Sequence, residues 1–198
     1  MALGTVTAAP HELRFDTGRV CLDLLATTHP VERLGSVEVL RAWITGSGLV
    51  PAGTVLAHAD ASWPVAFREL RGQLVPLVRG RPAPGVPSYD LALARVNELA
   101  RTAPPAPRAV PGEDGVLVRR LDGPPGRAAL LAAVARDAVD LLTDPVARGS
   151  LRQCEGDNCP IVYLDTSRGR RRRWCSSEIC GNRERVARHR RRAALART

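Results

Sequence analysis

The sequence predicts an α+β fold: a mostly helical N-terminal domain with a small β-sheet, followed by a small cysteine-rich module of knuckle, β-hairpin and helix. Three observations carry that prediction. Apolar residues recur at helical spacing in five separate segments between residues 20 and 142. Short Val- and Leu-containing runs between residues 108 and 121 are bracketed by Gly and Pro. Four of the five cysteines, Cys154, Cys159, Cys175 and Cys180, are packed into the last quarter of the chain. A chain of 198 residues has room for one ordinary core and a small appended module, and the composition places the division at 1–147 and 148–198.

Leu13-Arg14-Phe15 alternates like a short strand, and Val20 to Leu25 carries apolar residues at the spacing of a buried helix. Ser36 is placed to cap a helix whose Val39, Leu40, Trp43 and Ile44 share one face, ending near Gly46 and Gly48. A short helix is expected around Val55 to Ala59. Ser62 to Arg79 reads as a longer amphipathic helix with Phe67, Leu70, Leu74 and Leu77 inward, Pro64 in its first turn and Pro76 near its end. Pro82, Pro84 and Pro87 then break the chain. Tyr89 to Arg101 repeats the pattern with Leu91, Leu93, Val96 and Leu99 as its apolar set. Arg108 to Val110 and Val116 to Leu121, with Gly112 and Gly115 between them, form the expected small sheet. Arg127 to Leu142 is the clearest helix, Ala-rich, with Leu130, Leu131, Val134, Ala138, Leu141 and Leu142 on one side, and Asp144-Pro145 ends it.

The cysteines form a C-x4-C, fifteen-residue gap, C-x4-C array. Two close pairs separated by enough chain to fold back are what tetrahedral coordination by four sulfurs requires, so one Zn²⁺ is the expected cofactor. Disulfides are the competing reading. The isolated Cys21, and a Met1 to Leu13 segment lacking a basic start followed by an apolar run, favour a reduced, cytoplasmic chain. Four sulfurs leave no open coordination position, which makes the metal structural. Glu155 to Asn158 are turn formers that close a knuckle. Ile161 to Leu164 has strand character, Asp165 to Gly169 supplies a turn, and Arg171 to Trp174 is expected to return as the second strand. Ser176 and Ser177 are candidate N-caps, with Glu178 near the positive end of a helix whose first turn holds Cys180. Knuckle, hairpin and ligand-bearing helix together describe a treble-clef-like zinc finger.

Hydrophobic residues make up 44% of the chain and charged ones 25%, so it can fold. No stretch approaches the roughly 20 apolar residues of a membrane span, so no membrane partner is expected. All 29 basic residues are Arg, and their position is informative. Residues 1–147 hold 15 Arg against 15 acidic residues, whereas 148–198 hold 14 Arg against 5, so the whole net charge of +9 sits on the cysteine module. Four thiolates and one Zn²⁺ would carry −2, leaving about +7 on that module, a density suited to polyanions.

Tyr163-Leu164-Asp165-Thr166-Ser167-Arg168, Arg173-Trp174-Cys175-Ser176 and Cys180-Gly181-Asn182-Arg183 resemble the CGNR zinc finger. Leu13-Arg14-Phe15-Asp16 followed by Cys21-Leu22-Asp23-Leu24 resembles the ABATE domain that usually precedes it; Leu24 and Ala26 stand where that family more often has Phe and Asn. The resemblance implies a stress-induced bacterial transcription regulator that binds zinc and, in descriptions of the family, DNA or RNA.

Within the module, Ile179, Val186 and Ala193 form one helical stripe expected to pack, and Arg185, Arg188 and Arg192 form another facing outward. With Arg170, Arg171, Arg172 and Arg173 on the hairpin, and with Arg183, they are the candidate nucleic-acid contacts. The plainer alternative is a solvated basic face. Duplex DNA is the preferred partner, and RNA or an acidic protein surface is the alternative. A homodimer would double the readout, and the N-terminal domain is the place for a small-molecule effector. Asp165 is read as capping its turn, Trp174 as packing beside the metal, Arg183 as pairing with Asp165 or reaching phosphate, and Cys21 as a buried apolar residue. His11, His29, His58 and His189 show no ligand spacing, and no phosphate loop or nucleophile motif stands out. No enzymatic activity is expected.

Overall fold

The computed structural model describes residues 13–80 and 89–195. The readings of residues 1–12, His11 included, and of the Pro82 to Pro87 break lie outside them.

Among the described residues, seven α-helices and four short strands follow in order: α1 (Val20–Ala26), α2 (Val37–Gly46), α3 (Ser62–Arg79), α4 (Tyr89–Arg101), β1 (Pro107–Pro111), β2 (Leu117–Leu121), α5 (Arg127–Thr143), α6 (Pro145–Gly149), β3 (Leu151–Gln153), β4 (Val162–Leu164) and α7 (Asn182–Leu195). A π-helical turn over Ser177–Gly181 leads into α7. The Ser36 hydroxyl accepts the Val39 N–H at 3.3 Å and starts α2. Gly80, at φ 65°, closes α3 in the left-handed conformation that glycine adopts without penalty.

The helices α3, α4 and α5 pack around the main core, with α1 and α2 laid against α3. Leu22, Trp43, Phe67, Leu74, Val96 and Leu130 are fully buried there. The Trp43 and Phe67 rings meet edge-on at 5.7 Å, an arrangement worth about 0.5–1.5 kcal/mol beyond the area buried. A polar cluster reaches from the edge of this core to the surface at Glu32. The Arg71 guanidinium donates to the Thr27 hydroxyl at 2.7 Å and to both oxygens of Glu32. The sheet of β1 and β2 is an antiparallel hairpin on the surface, with Leu117 exposed.

Several expectations are corrected. Leu13 to Phe15 forms no strand with any of the described residues, and Val55 to Ala59 holds a turn instead of a helix. On α4 the buried stripe is Ala92 and Val96, with Leu99 beside them, while Leu91 and Leu93 are exposed. Positions 92, 96 and 99 share one helical face, and the small Ala92 lets α4 approach its neighbours closely. Asp144 ends α5 and also caps α6, accepting the Val146 N–H at 2.8 Å.

The largest correction concerns the module's hairpin. The strand β4 pairs antiparallel with β3, which precedes Cys154, and not with Arg171 to Trp174. The donors of the returning segment are already taken by the turn. The Arg171 N–H goes to the Ser167 hydroxyl and the Arg172 N–H to the Asp165 carboxylate, and only one backbone bond, Glu155 N–H to the Arg173 carbonyl, joins that segment to the knuckle. The knuckle therefore sits at the tip of the β3–β4 hairpin.

Candidate metal centre

The strands β3 and β4 hold the first cysteine pair. Cys154 N–H donates to the Ile161 carbonyl at 2.9 Å and Cys159 N–H to the Gly156 carbonyl at 3.1 Å, which closes the knuckle. Asn158 takes a positive φ of 56° inside this turn, a conformation Asn tolerates better than most residues. The second pair is set by the helix start. The Ser176 hydroxyl accepts the Glu178 and Ile179 N–H groups, which holds Cys175 just before the π-helical turn and Cys180 within it.

All four sulfurs lie within 4.8 Å of one another and all four cysteines are buried. Cys159 and Cys175 sulfurs are 3.7 Å apart, and those of Cys175 and Cys180 are 3.5 Å apart. Ligands of a tetrahedral zinc with Zn–S near 2.3 Å sit roughly 3.8 Å apart, so the donor set fits that ion. The cysteines are free thiols, which removes the disulfide reading. Four clustered cysteines can thus hold one zinc ion. When bound it would supply a structural cross-link between knuckle and helix.

Donors surround the sulfurs. Cys154 accepts from the Gly156 N–H at 3.4 Å and the Cys175 N–H at 3.3 Å. Two guanidinium groups add charge. Arg183 donates to the Cys180 sulfur at 3.1 Å, and Arg14, from the N-terminal region, donates to the Cys175 sulfur at 3.3 Å. Burial pushes the Cys159 thiol up to about 11 and the Cys175 thiol up as well. For Cys180 burial acts in the same direction, but Arg183 and the neighbouring thiols outweigh it and hold this group below its ordinary value. Such outer donors orient ligands and offset thiolate charge.

The candidate arginines fall into two groups. Arg172 is turned inward: it donates to the carbonyls of Trp174 at 2.8 Å, Asp16 at 3.1 Å and Cys175, and lies 4.5 Å from the Tyr163 ring centroid. Arg173 pairs with Glu155 at 2.6 Å and covers the half-buried Trp174, which packs against the cysteine cluster. Arg183 donates to Cys180 and not to Asp165, the protein partner read for it from sequence. Arg170, Arg171, Arg185, Arg188 and Arg192 are exposed, as are Arg173 and Arg183. Of these, Arg185 also donates to the Ser177 carbonyl at 3.3 Å. Asp165 accepts from the Ser167 N–H and hydroxyl and from the Arg172 N–H, which caps the turn.

The helix α7 does not pack as its pattern suggests. Val186 is 43% exposed and Ile179 48%, and no side chain from Asn182 to Ala193 is buried. The helix stands off the body, with Arg190 and Arg191 adding to its charge; Arg191 pairs with Glu184 at 2.7 Å. Cys21 is buried, and its N–H donates to Asp137 at 2.9 Å. No helix among the described residues is long and apolar enough to cross a membrane.

Sequence reasoning missed Arg14. Its signal was the Leu13-Arg14-Phe15-Asp16 stretch, but nothing local says that this guanidinium reaches a sulfur 161 positions away. Also outside sequence reach was a cleft of about 490 Å³ at the boundary of the two units, bordered by Arg14, His29, Arg33, Ile179 and Arg183.

Comparison with known protein families matches residues 18–145 to ABATE, described as "Putative stress-induced transcription regulator", and residues 150–193 to the CGNR zinc finger. No curated protein matches the chain. The matched segments flank the junction of α6 with β3, and the second contains all four clustered cysteines. The chain belongs to the ABATE family and carries a CGNR zinc finger at its C-terminal side.

Proposed function

We propose that the chain is a transcription regulator whose zinc-loaded module binds nucleic acid, with duplex DNA as the preferred partner. The observation that carries this reading is α7. It leaves the metal site with no buried side chain between Asn182 and Ala193 and with six arginines in fourteen residues. A helix of that length spans about 21 Å, and one uncovered all round has the shape to enter a major groove roughly 12 Å wide. Arg185, Arg188 and Arg192 lie on one side, set to meet phosphates, with Arg170 and Arg171 on the loop before Cys175 as a second basic surface.

Arg172, Arg173 and Arg183 are engaged within the protein and support the module more than its partner. The metal serves structure: four sulfurs complete a tetrahedron, and the chain acts without catalysis. One such module gives limited specificity, so a homodimer reading two half-sites fits the function, and a small effector acting on the N-terminal unit fits regulation. Binding of the zinc-loaded protein to random duplex, structured RNA and single strands across a salt series tests the reading. Steeply salt-dependent duplex binding supports it. Absence of duplex binding at low salt transfers the arginines to RNA or to an acidic protein.

A further inference from the structure

Residues 14–18 form a strap that lies across the zinc module while belonging, in sequence, to the N-terminal unit. Four contacts tie it to the module. Arg14 donates to the Cys175 sulfur at 3.3 Å, Arg172 donates to the Asp16 carbonyl at 3.1 Å, and the Leu164 N–H donates to the Thr17 carbonyl at 2.8 Å. Gly18, at φ 93°, brings its backbone so close to Leu164 that a Cβ there would sit 3.2 Å from the Leu164 Cβ.

On its other side the strap is fixed to the N-terminal unit. Thr17 is fully buried; its N–H and hydroxyl donate to Asp23 of α1 at 3.2 and 2.7 Å. Arg14 is further clamped by Asp16, which accepts from Nε and Nη2 at 2.8 to 3.1 Å. The end of α1 repeats the link, because Ala26 is buried among the four cysteines, Ile161 and Tyr163. A continuous path of contacts therefore runs from a zinc ligand to the core of the other unit.

We propose that Arg14 is a positioning residue that couples zinc occupancy to the docking of the N-terminal unit through this strap. The physical basis is reciprocal. A metal bound by four thiolates leaves net negative charge on the sulfurs, and the guanidinium that faces one of them from the strap is attracted to it. Docking the strap then strengthens zinc binding, and binding zinc strengthens the strap by the same factor. Arg183 gives the internal comparison: it reaches a sulfur at similar distance, but from the module itself, so its loss should lower zinc affinity and leave the hydrogen bonds of the strap in place. The coupling concerns communication between the units and stands whether the module's partner is DNA, RNA or protein.

The test uses the full chain as wild type, Arg14→Ala, Arg14→Lys and Arg183→Ala, each titrated with zinc against a chromogenic chelator and followed by amide hydrogen exchange. Arg14→Ala and Arg183→Ala are both expected to weaken zinc binding about tenfold, the lower end for lost outer-shell partners. With zinc saturating, only Arg14→Ala should speed exchange at the Leu164 and Thr17 amides, and Arg14→Lys, which keeps the charge, should recover part of the affinity. Stripping zinc from the wild type should speed the Thr17 amide, whose acceptor lies wholly in the N-terminal unit. Wild-type zinc affinity in Arg14→Ala, or a Thr17 amide indifferent to zinc, overturns the proposal. Should Arg14→Ala fail to fold, the Arg14→Lys variant and the zinc-stripped wild type still decide it.

Discussion

Replacing Arg185, Arg188 and Arg192 together by Ala removes three exposed guanidiniums from one side of α7, a helix with no buried side chain between Asn182 and Ala193. The fold should tolerate this, because Ala is the best helix former and, among the described residues, the only hydrogen bond from the three to the turn that holds Cys180 is the 3.3 Å one from Arg185 to the Ser177 carbonyl. The effect on nucleic-acid binding can be worked out. Each phosphate neutralised on duplex DNA contributes about 0.9 to the slope of log K against log salt, so three contacts contribute about 2.7. Between 50 and 200 mM salt one contact is worth roughly 3.5-fold in affinity and three about 40-fold. Wild type should therefore lose about 40-fold more affinity than the variant over that range, with the two converging as salt rises. Fluorescence anisotropy of a labelled random duplex at four or five salt concentrations measures it, with Arg119→Ala/Arg120→Ala on β2 as a control of equal type. Parallel slopes for wild type and the triple variant would refute the placement of phosphates along α7, whatever the absolute affinities.

Metal analysis should find one zinc per chain; Cys175→Ser should lose it together with protection of the β3–β4 hairpin, and a metal-free wild type with a fully protected hairpin would contradict the site. Tyr163 is fully buried and its hydroxyl donates to the carbonyl of the half-buried Arg172, so Tyr163→Phe should cost about 0.5–1.5 kcal/mol in denaturant unfolding of the zinc-loaded protein, the net worth of one hydrogen bond. Burial, with Asp16 and Asp137 nearby, pushes Asp23 up to about 6 against the Thr17 hydrogen bonds that oppose the shift. Its folded value lies above its unfolded one, so the folded state holds the extra proton between about 4 and 6, and stability falls as pH rises through that window, by up to about 3 kcal/mol. Asp23→Asn should lack that slope; comparing the two proteins cancels the pH dependence of zinc binding, and identical profiles would count against the shift.

Much of this architecture is legible from local pattern. Five helices follow from apolar periodicity and from residues such as Ser36 and Pro64 at their starts, and the four sulfurs converge as their spacing requires. What escapes is set by distant contacts or by side chains that spend backbone donors. Arg171 to Trp174 reads as a strand, yet Asp165 and Ser167 take the amides a ladder would need. Leu91 and Leu93 read as core because they are large, although the stripe of Ala92 and Val96 faces inward. The Ile179 and Val186 stripe reads as packed, but no element of the described chain covers it. In the Arg170 to Arg173 run, one residue type does two jobs. Only the positions of carbonyls at Asp16, Trp174 and Cys175 separate the inward Arg172 from its exposed neighbours.

The strap also has a consequence for the order in which the molecule is made. Residues 14–18 leave the ribosome about 150 residues before the groups that receive them, at Leu164, Arg172 and Cys175; the Arg14 to Cys175 contact spans 161 positions. Helices α3 to α5 can assemble from contacts near in sequence while the strap waits, since domains form during synthesis as their parts appear. Closure then falls to the segment from Leu164 to Cys175 together with the metal. A nascent protein short of Cys175 would carry a folded helical core and an open seam, a difference that a degradation machinery reading exposed segments would register as unfinished.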